Sequence, residues 1–194
     1  MLNTANEKGW MMTYTGKRVF PLDVKIDDID IRDIAHSLAL QCRFNGHVSD
    51  FYSVAEHSLL ICKALQKNEV GGTLLHISAL LHDAAETYLS DMIRPLKISL
   101  ADAYGPIRRA GEKIDLLIAD KYGLPRPFAP IIHEYDHRII NDEKRVLFGT
   151  EKPWDHGGQP LGVDIQCYDP REAERRFKFE FYNLMEQMER LSHA

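Results

Sequence analysis

The chain has 194 residues, of which 44% are hydrophobic and 27% charged, as is typical of a globular protein that buries a substantial core in one domain. Its formal net charge of −5 at pH 7 argues against polymeric nucleic acid as a partner, because such a surface needs an excess of lysine and arginine. The three cysteines form no Cys-x-x-Cys pair and favour a reduced, cytoplasmic protein. We find neither a signal-peptide pattern nor an apolar run near the roughly 20 residues of a membrane span, so no membrane partner is expected.

The N-terminal third is predicted to pass from a short β element into helices. Residues 13–27 alternate apolar and polar positions around glycine and proline, which predicts a short strand or hairpin. The apolar period of residues 31–42 is that of an amphipathic helix. A second helix is predicted over 53–68, because Ser53 and Glu56 have the spacing of a capping box.

The remainder of the chain is also predicted to be helical. Residues 74–89 are apolar on nearly every side and are therefore expected to form a central helix, followed by a loop over 90–95. Further helices are predicted over 100–122, 130–148 and 170–191, the last with Asp169 as its N-cap, and a surface loop is predicted over 149–168. The fold class expected is an all-α bundle with a short N-terminal β element, a single domain over 1–194 whose motif-bearing part is about 28–148.

A His-Asp pair lies inside the most apolar of these predicted helices. Burying imidazole and carboxylate groups among apolar side chains costs free energy unless the groups are paired or bound to a metal ion. On a helix, His82 and Asp83 would point about 100° apart, so other helices would have to complete the shell of a shared ion. Glu86 follows one turn later on the same side and is the natural general acid or base.

Two residues of other predicted helices can supply the missing ligands. His57 lies among apolar residues, and Asp136 lies on a helix whose other side is rich in isoleucine. Two imidazoles and two carboxylates suit Zn, Mn, Co, Ni or Fe(II), and Mg less well. The residues alone leave other interpretations open: His57 as a satisfied core histidine, His82 and Asp83 as a hydrogen-bonded pair, and Asp136 as a surface residue.

Several short motifs stand in a fixed order along the chain. They are Arg43-Phe44, Val54 to Ser58, His82 to Glu86, Asp91, and Pro95 to Lys97. This order resembles the HD-domain superfamily of metal-dependent phosphohydrolases, and within it the YfbR-like 5′-deoxynucleotidases. The resemblance extends over about residues 13–188. Phe44 stands where the YfbR-like group commonly has tryptophan.

A closer resemblance is to the bacterial and phage group that includes the phage dATP triphosphohydrolase. The segments shared with that group are Gly16 to Phe20, Asp33 to His36, Cys42 to His47, Phe51 to Ala55, and Ala173 to Phe177. The spacing from glycine to phenylalanine in the first segment is one residue longer than in that group. Dinuclear HD enzymes are less similar, because they carry lysine where this chain has Glu86.

The resemblance implies a role for each matching residue. It implies one divalent cation (Zn, Mn, Co or Mg) held by His57, His82, Asp83 and Asp136. Glu86 would be the acid/base group, and Asp91 would orient water or protonate the leaving group. Arg43 and Lys97 would neutralise phosphate, and Phe44 would pack on sugar or base. His47 is either a substrate contact or a loop-packing residue.

The resemblance also implies the reaction and the assembly. The expected activity is hydrolysis of a deoxynucleotide, a dNTP with dATP favoured. The alternatives are a 5′-deoxynucleotidase acting on dNMPs, hydrolysis of another phosphate ester, and a non-catalytic nucleotide-binding protein. A homo-oligomer is expected, because relatives assemble and the last predicted helix carries more aromatic residues than one core needs: Phe177, Phe179, Phe181 and Tyr182.

Overall fold

The chain begins with a small antiparallel hairpin. The computed structural model describes residues 9–126, 128–148 and 158–192. In it, β1 (Met11–Met12) pairs with β2 (Arg18–Val19). The backbone N–H and hydroxyl of Thr15 donate to the Asp33 carboxylate at 2.7 and 2.8 Å, and these bonds attach the hairpin to the first helix. The predicted N-terminal β element is therefore confirmed.

Most of the remaining described chain is helical, as predicted for an all-α bundle. The helices are α1 (Ile31–Leu40), α2 (Val54–Lys67), α3 (Thr73–Leu80), α4 (Glu86–Leu89), α5 (Arg94–Leu100), α6 (Gly105–Tyr122), α7 (Pro130–Leu147) and α8 (Pro170–Ser192). Short 3-10 turns lie at Pro21–Asp23, Ile26–Asp28, Arg43–Gly46 and Ala101–Tyr104. Within the described ranges, no helix is both long enough and apolar enough to cross a membrane.

Side-chain caps define where the principal helices begin. The Asp30 carboxylate accepts the Arg32 N–H at the start of α1, and the Ser53 hydroxyl accepts the Glu56 N–H at the start of α2. Asp169 accepts N–H groups from the first turn of α8, as its predicted N-cap role requires. The apolar stripes of α1, α2, α3 and α8 then pack together, with Phe177 and Phe181 of α8 inside the core.

The predicted central helix over 74–89 is wrong as a continuous element. Helix α3 ends at Leu80, and residues 81–85 form turns before α4 begins. The His82 Nδ1–H donates to the Ala79 carbonyl at 2.8 Å, an oxygen that a regular helix would pair with the Asp83 N–H. The following bonds, such as Ala84 N–H to Leu81 O, span three residues and tighten the chain. The expectation that His82 and Asp83 diverge as on a regular helix therefore does not apply.

Three other predicted boundaries also differ. The predicted loop over 90–95 is present only at 90–93, because α5 begins at Arg94, and the predicted helix over 100–122 begins later, as α6 at Gly105. Ala101, whose φ is 46°, ends α5 and begins the 3-10 turn that leads to α6. The first helix ends before Cys42, which instead forms a β-bridge with Ser53. Of the predicted surface loop, 149–157 lies outside the described residues. The part that is described, 158–168, has no regular secondary structure, but Ile165 within it is buried.

A buried carboxylate explains why this irregular segment is held in place. Glu56 of α2 is fully buried and accepts the backbone N–H groups of Gln166, Cys167 and Tyr168 at 2.8, 3.1 and 2.7 Å. The buried carboxylate would otherwise lack partners for its negative charge. Glu56 therefore joins the start of α2 to the segment that leads into α8.

We expect Glu56→Ala to lower the free energy of unfolding by about 3 kcal/mol, because three hydrogen bonds to a charged, fully buried acceptor are lost. Urea denaturation followed by circular dichroism measures this change. The matched control is Glu112→Ala, since Glu112 is exposed and pairs with Arg108 on the surface of α6. Equal stability of the two variants would contradict the assigned role of Glu56.

Candidate metal centre and adjoining cavity

Four side chains that are distant in sequence meet at one point of the structure. His57 comes from α2, His82 and Asp83 from the turns after α3, and Asp136 from α7. The Asp136 Oδ1 lies 3.1 Å from the His57 Nε2 and 4.0 Å from the His82 Nε2. The Asp83 Oδ2 lies 3.6 and 3.2 Å from the same two nitrogens. The four residues proposed as ligands from the sequence are therefore brought together.

The orientation of the two imidazole rings tests whether this set fits a cation. The Nδ1–H of His57 donates to Glu143 at 2.7 Å, and that of His82 donates to the Ala79 carbonyl. In its neutral form each ring has its lone pair on Nε2, and both Nε2 atoms are buried without a hydrogen-bond partner among the described residues. Each Nε2 faces carboxylate oxygens, an arrangement that is favourable only when a proton or a metal cation lies between them. Burial alone would lower the pKa of His82, but Asp83 raises it to about 9, so a cation bound here would take the place of a proton. The donor set therefore fits a metal ion.

The candidate ligand atoms of His57, His82 and Asp83 all lie within 4.8 Å of one another, a grouping that could hold one ion. Burial raises the pKa of Asp83, but the adjacent His82 ring holds it well below its usual range. Burial likewise opposes ionisation of Asp136, yet the His57 ring lowers the pKa of that carboxyl to about 2. Both carboxylates are thus charged at neutral pH, and the centre favours positive charge.

Glu143 of α7 is part of the site, although the sequence analysis did not identify it. It is fully buried, accepts from the His57 Nδ1, and lies 3.2 Å from the Nε of Arg43. Burial raises the pKa of Glu143, but the Arg43 guanidinium brings the net shift below the usual value. The sequence nevertheless contained one indication of its role. Glu143 lies seven residues, or two helical turns, after Asp136 and therefore on the same face of that helix.

We expect Glu143→Gln to weaken metal affinity by about 10- to 100-fold, because the charged acceptor that orients His57 and makes its ring a stronger donor is replaced by a neutral amide. Isothermal titration with Zn or Mn measures the affinity. Glu134→Gln is the control on the same helix, since Glu134 is exposed and pairs with Arg138. An affinity for metal that is equal in the two variants would contradict this role of Glu143.

A cavity of about 690 Å³ adjoins the four candidate ligands, and Asp83 and Asp136 form part of its wall. The other six residues selected from the sequence also line it: Arg43, Phe44, His47, Glu86, Asp91 and Lys97. The remaining wall includes apolar side chains such as Ile98, Ile140 and Phe148. The cavity therefore combines charged groups with an apolar surface, as sites for small ligands do.

The loop that carries Arg43 and Phe44 has a strained backbone. Phe44 and Asn45 have φ values of 56° and 55°, a region that residues other than glycine rarely adopt. Two backbone hydrogen bonds hold the loop, from the Arg43 N–H to Tyr52 O at 2.9 Å and from the His47 N–H to Phe44 O at 3.1 Å. The Phe44 ring packs edge-on against Phe148 with centroids 5.1 Å apart. Strain of this kind is concentrated at functional sites.

Two carboxyl groups on the cavity wall have raised pKa values. Burial, together with the negative charges of Asp83 and Asp91, raises the pKa of Glu86 to about 9. One of its oxygens, Oε2, is buried without a hydrogen-bond partner among the described residues. Burial also raises the pKa of Asp91. A carboxyl kept protonated near neutral pH can donate a proton.

A smaller cavity of about 230 Å³ lies on the α6 side of the same centre. It shares Asp83, Glu86 and Lys97 with the larger cavity and adds Asp115 of α6. Burial raises the pKa of Asp115 to about 7. The sequence analysis did not select Asp115, because no motif includes it.

The chain is similar to known bacterial proteins. No protein-family model matches it. It is 41% identical over 138 residues to the uncharacterized protein YfdR of Escherichia coli (strain K12), a match that spans 71% of this chain and 72% of YfdR. It is 38% identical over 122 residues to the uncharacterized protein RCAP_rcc00048 of Rhodobacter capsulatus, which spans 61% of each protein. The chain therefore belongs to the same family as YfdR.

Proposed function

We propose that the protein is a divalent-metal-dependent phosphohydrolase of the HD type that acts on deoxynucleotides. The observation that carries the proposal is the pair of buried, unpartnered Nε2 atoms of His57 and His82. They face two carboxylates beside a cavity that also contains cationic side chains and protonatable carboxyls. We further propose dNTPs as the substrate class, with dATP favoured, on the resemblance described for the sequence.

The proposed cofactor is one divalent cation held by His57, His82, Asp83 and Asp136. Two nitrogen and two oxygen donors suit Zn, Mn or Co better than Mg. When bound, such a cation supplies Lewis acidity, which activates water and polarises a phosphoryl oxygen. Glu143 and the Ala79 carbonyl would fix the orientation of the two rings.

The cationic side chains would bind and neutralise the phosphates. Arg43 is held by Glu143 and lies 3.7 Å from Asp83, so its guanidinium is fixed at the cavity wall. Lys97 of α5 lines the same cavity and adds a second positive charge. An arginine fork and a lysine point charge are both suited to phosphate oxygens. The apolar wall around Phe44 and Phe148 would pack against sugar or base.

The carboxyl groups would manage protons in the reaction. For a dNTP, water attacks the α-phosphorus, the bond to the 5′ oxygen breaks, and deoxynucleoside and triphosphate are released. The departing 5′ oxygen must gain a proton, and the attacking water must lose one. Glu86, whose pKa is raised to about 9, would donate the first proton. Asp91 on the same wall would orient or deprotonate the water.

A panel of dNTPs, dNMPs and ribonucleotides, incubated with Mn, Co, Zn or Mg, tests the proposal. Chromatography separates triphosphate from deoxynucleoside, and a molybdate assay detects orthophosphate. We expect deoxyadenosine and triphosphate from dATP. Release of orthophosphate from dNMPs alone would instead indicate a 5′-deoxynucleotidase. Nucleotide binding without turnover would indicate a non-catalytic binding protein.

We also propose that the protein is cytoplasmic, forms homo-oligomers and has no polymeric nucleic acid as a partner. Among the aromatic residues selected from the last helix, Phe177 and Phe181 belong to the core. Phe179 and Tyr182 are 67% and 53% exposed. These two rings are the part of α8 that would contact a second copy.

A further inference from the structure

We propose that Gln41 is a positioning residue for the two carboxyl groups that manage protons, an inference that rests on the proposed function. Gln41 directly follows α1, and its side-chain amide reaches the segment from Glu86 to Asp91. The Nε2 donates to the backbone carbonyl of Glu86 at 3.2 Å. The Oε1 accepts the backbone N–H of Asp91 at 2.9 Å. One side chain thus holds both ends of the segment.

The segment needs such support because its own secondary structure is slight. Helix α4 is a single turn, from Glu86 to Leu89. Ser90 then adopts φ 67° and ψ 153°, which redirects the chain away from the helix. In α5, which comes next, none of the side chains is buried. Buried Thr87 and Tyr88 anchor α4, but α5 has no buried side chain, so the Asp91 end of the segment depends most on support from outside it.

Gln41 is itself firmly held. Its carbonyl accepts the Val54 N–H at 3.1 Å, so its backbone is bonded to the first turn of α2. Its Nε2 also donates to the Ser37 hydroxyl of α1 at 3.0 Å. Helix α1 packs against both α2 and α8 in the core. Because α2 carries His57, Gln41 sets where Glu86 and Asp91 lie relative to the candidate metal ligands.

Gln41→Met tests this role, because methionine has a similar length but cannot make either hydrogen bond. We expect kcat on the preferred nucleotide to fall about 10- to 100-fold, while KM and metal content stay at wild-type values, because displaced catalytic groups slow the chemical step. The matched control is Gln66→Met, which removes another half-buried glutamine amide, bonded to Glu180 at 2.7 Å and remote from the cavity. It should leave kcat unchanged.

A double variant separates positioning from loss of structure. If Gln41 acts through Glu86 and Asp91, its replacement should cost much less in a Glu86→Gln, Asp91→Asn background than in the wild type. A loss of kcat that is the same in both backgrounds would overturn the proposal. So would a loss of metal content in Gln41→Met.

Hydrogen exchange provides a test that does not depend on hydrolysis. In metal-loaded protein without nucleotide, we expect the Asp91 amide to exchange about fivefold faster or more in Gln41→Met, because its acceptor is lost. Gln66→Met should match the wild type. Unchanged exchange at Asp91 would overturn the positioning role. Absence of turnover in the wild type on every nucleotide would instead overturn the proposed function, while faster exchange would still support the contact.

Discussion

His82→Ala is expected to remove the bound cation and to lower nucleotide turnover by about three orders of magnitude or more, since a metal ion contributes several kcal/mol to stabilising the transition state. The His82 Nε2 lies 3.2 Å from Asp83 and is buried without a hydrogen-bond partner among the described residues, so its removal takes one of the two nitrogen donors from the centre. Elemental analysis of the purified protein, combined with steady-state kinetics, measures both effects.

The control for this variant is His76→Ala. His76 lies on α3 and contacts the Val70 carbonyl at 3.0 Å, outside both cavities. Its replacement should leave metal content and turnover unchanged. Asp83→Ala should behave like His82→Ala. Full metal stoichiometry in Asp83→Ala would refute the ligand assignment.

Glu86→Gln is expected to retain the cation but to lower kcat by about 10²- to 10⁴-fold, the usual contribution of a general acid or base. The amide has nearly the shape of the carboxyl group but has no proton to transfer near neutral pH. Burial and the neighbouring carboxylates raise the pKa of Glu86 to about 9, so the proton is present in the free protein. Steady-state kinetics and metal analysis on the same preparation measure the two quantities.

Glu186→Gln is a suitable control, because Glu186 pairs with Arg190 on the exposed side of α8. This variant should have wild-type kcat and metal content. If Glu86→Gln lost metal together with activity, Glu86 would be a ligand instead of a proton donor. An unchanged kcat would exclude it from the reaction altogether.

The sequence allowed much of the fold and the centre of the site to be predicted. Polar groups in apolar surroundings are unusual, and this made His57 and the His82–Asp83 pair detectable. Helical periodicity predicted α1 because it buries one apolar stripe along its length. The capping residues Ser53 and Asp169 identified where two of these helices begin.

Other features depend on contacts that no local pattern encodes. Helix α5 was missed because it is only seven residues long and Pro95, which lies in its first turn, was assigned to the predicted loop. At the turns over 81–85 the His82 ring donates to the Ala79 carbonyl in place of a backbone N–H. Hydrophobic periodicity contains no information about this change of donor. Glu143 can orient His57 and hold Arg43 only after folding, because Arg43 lies 100 positions earlier in the chain.

The bonds from Glu56 to residues 166–168 bear on how much of the chain is needed to build the centre. Every residue selected for chemistry lies before position 148, so a fragment ending there would contain all of them. That fragment would nevertheless lack the three backbone N–H groups that donate hydrogen bonds to the buried Glu56 carboxylate next to His57. It would also lack the core aromatic residues of α8. The shortest piece that carries the site residues is therefore not the shortest piece that can assemble the site.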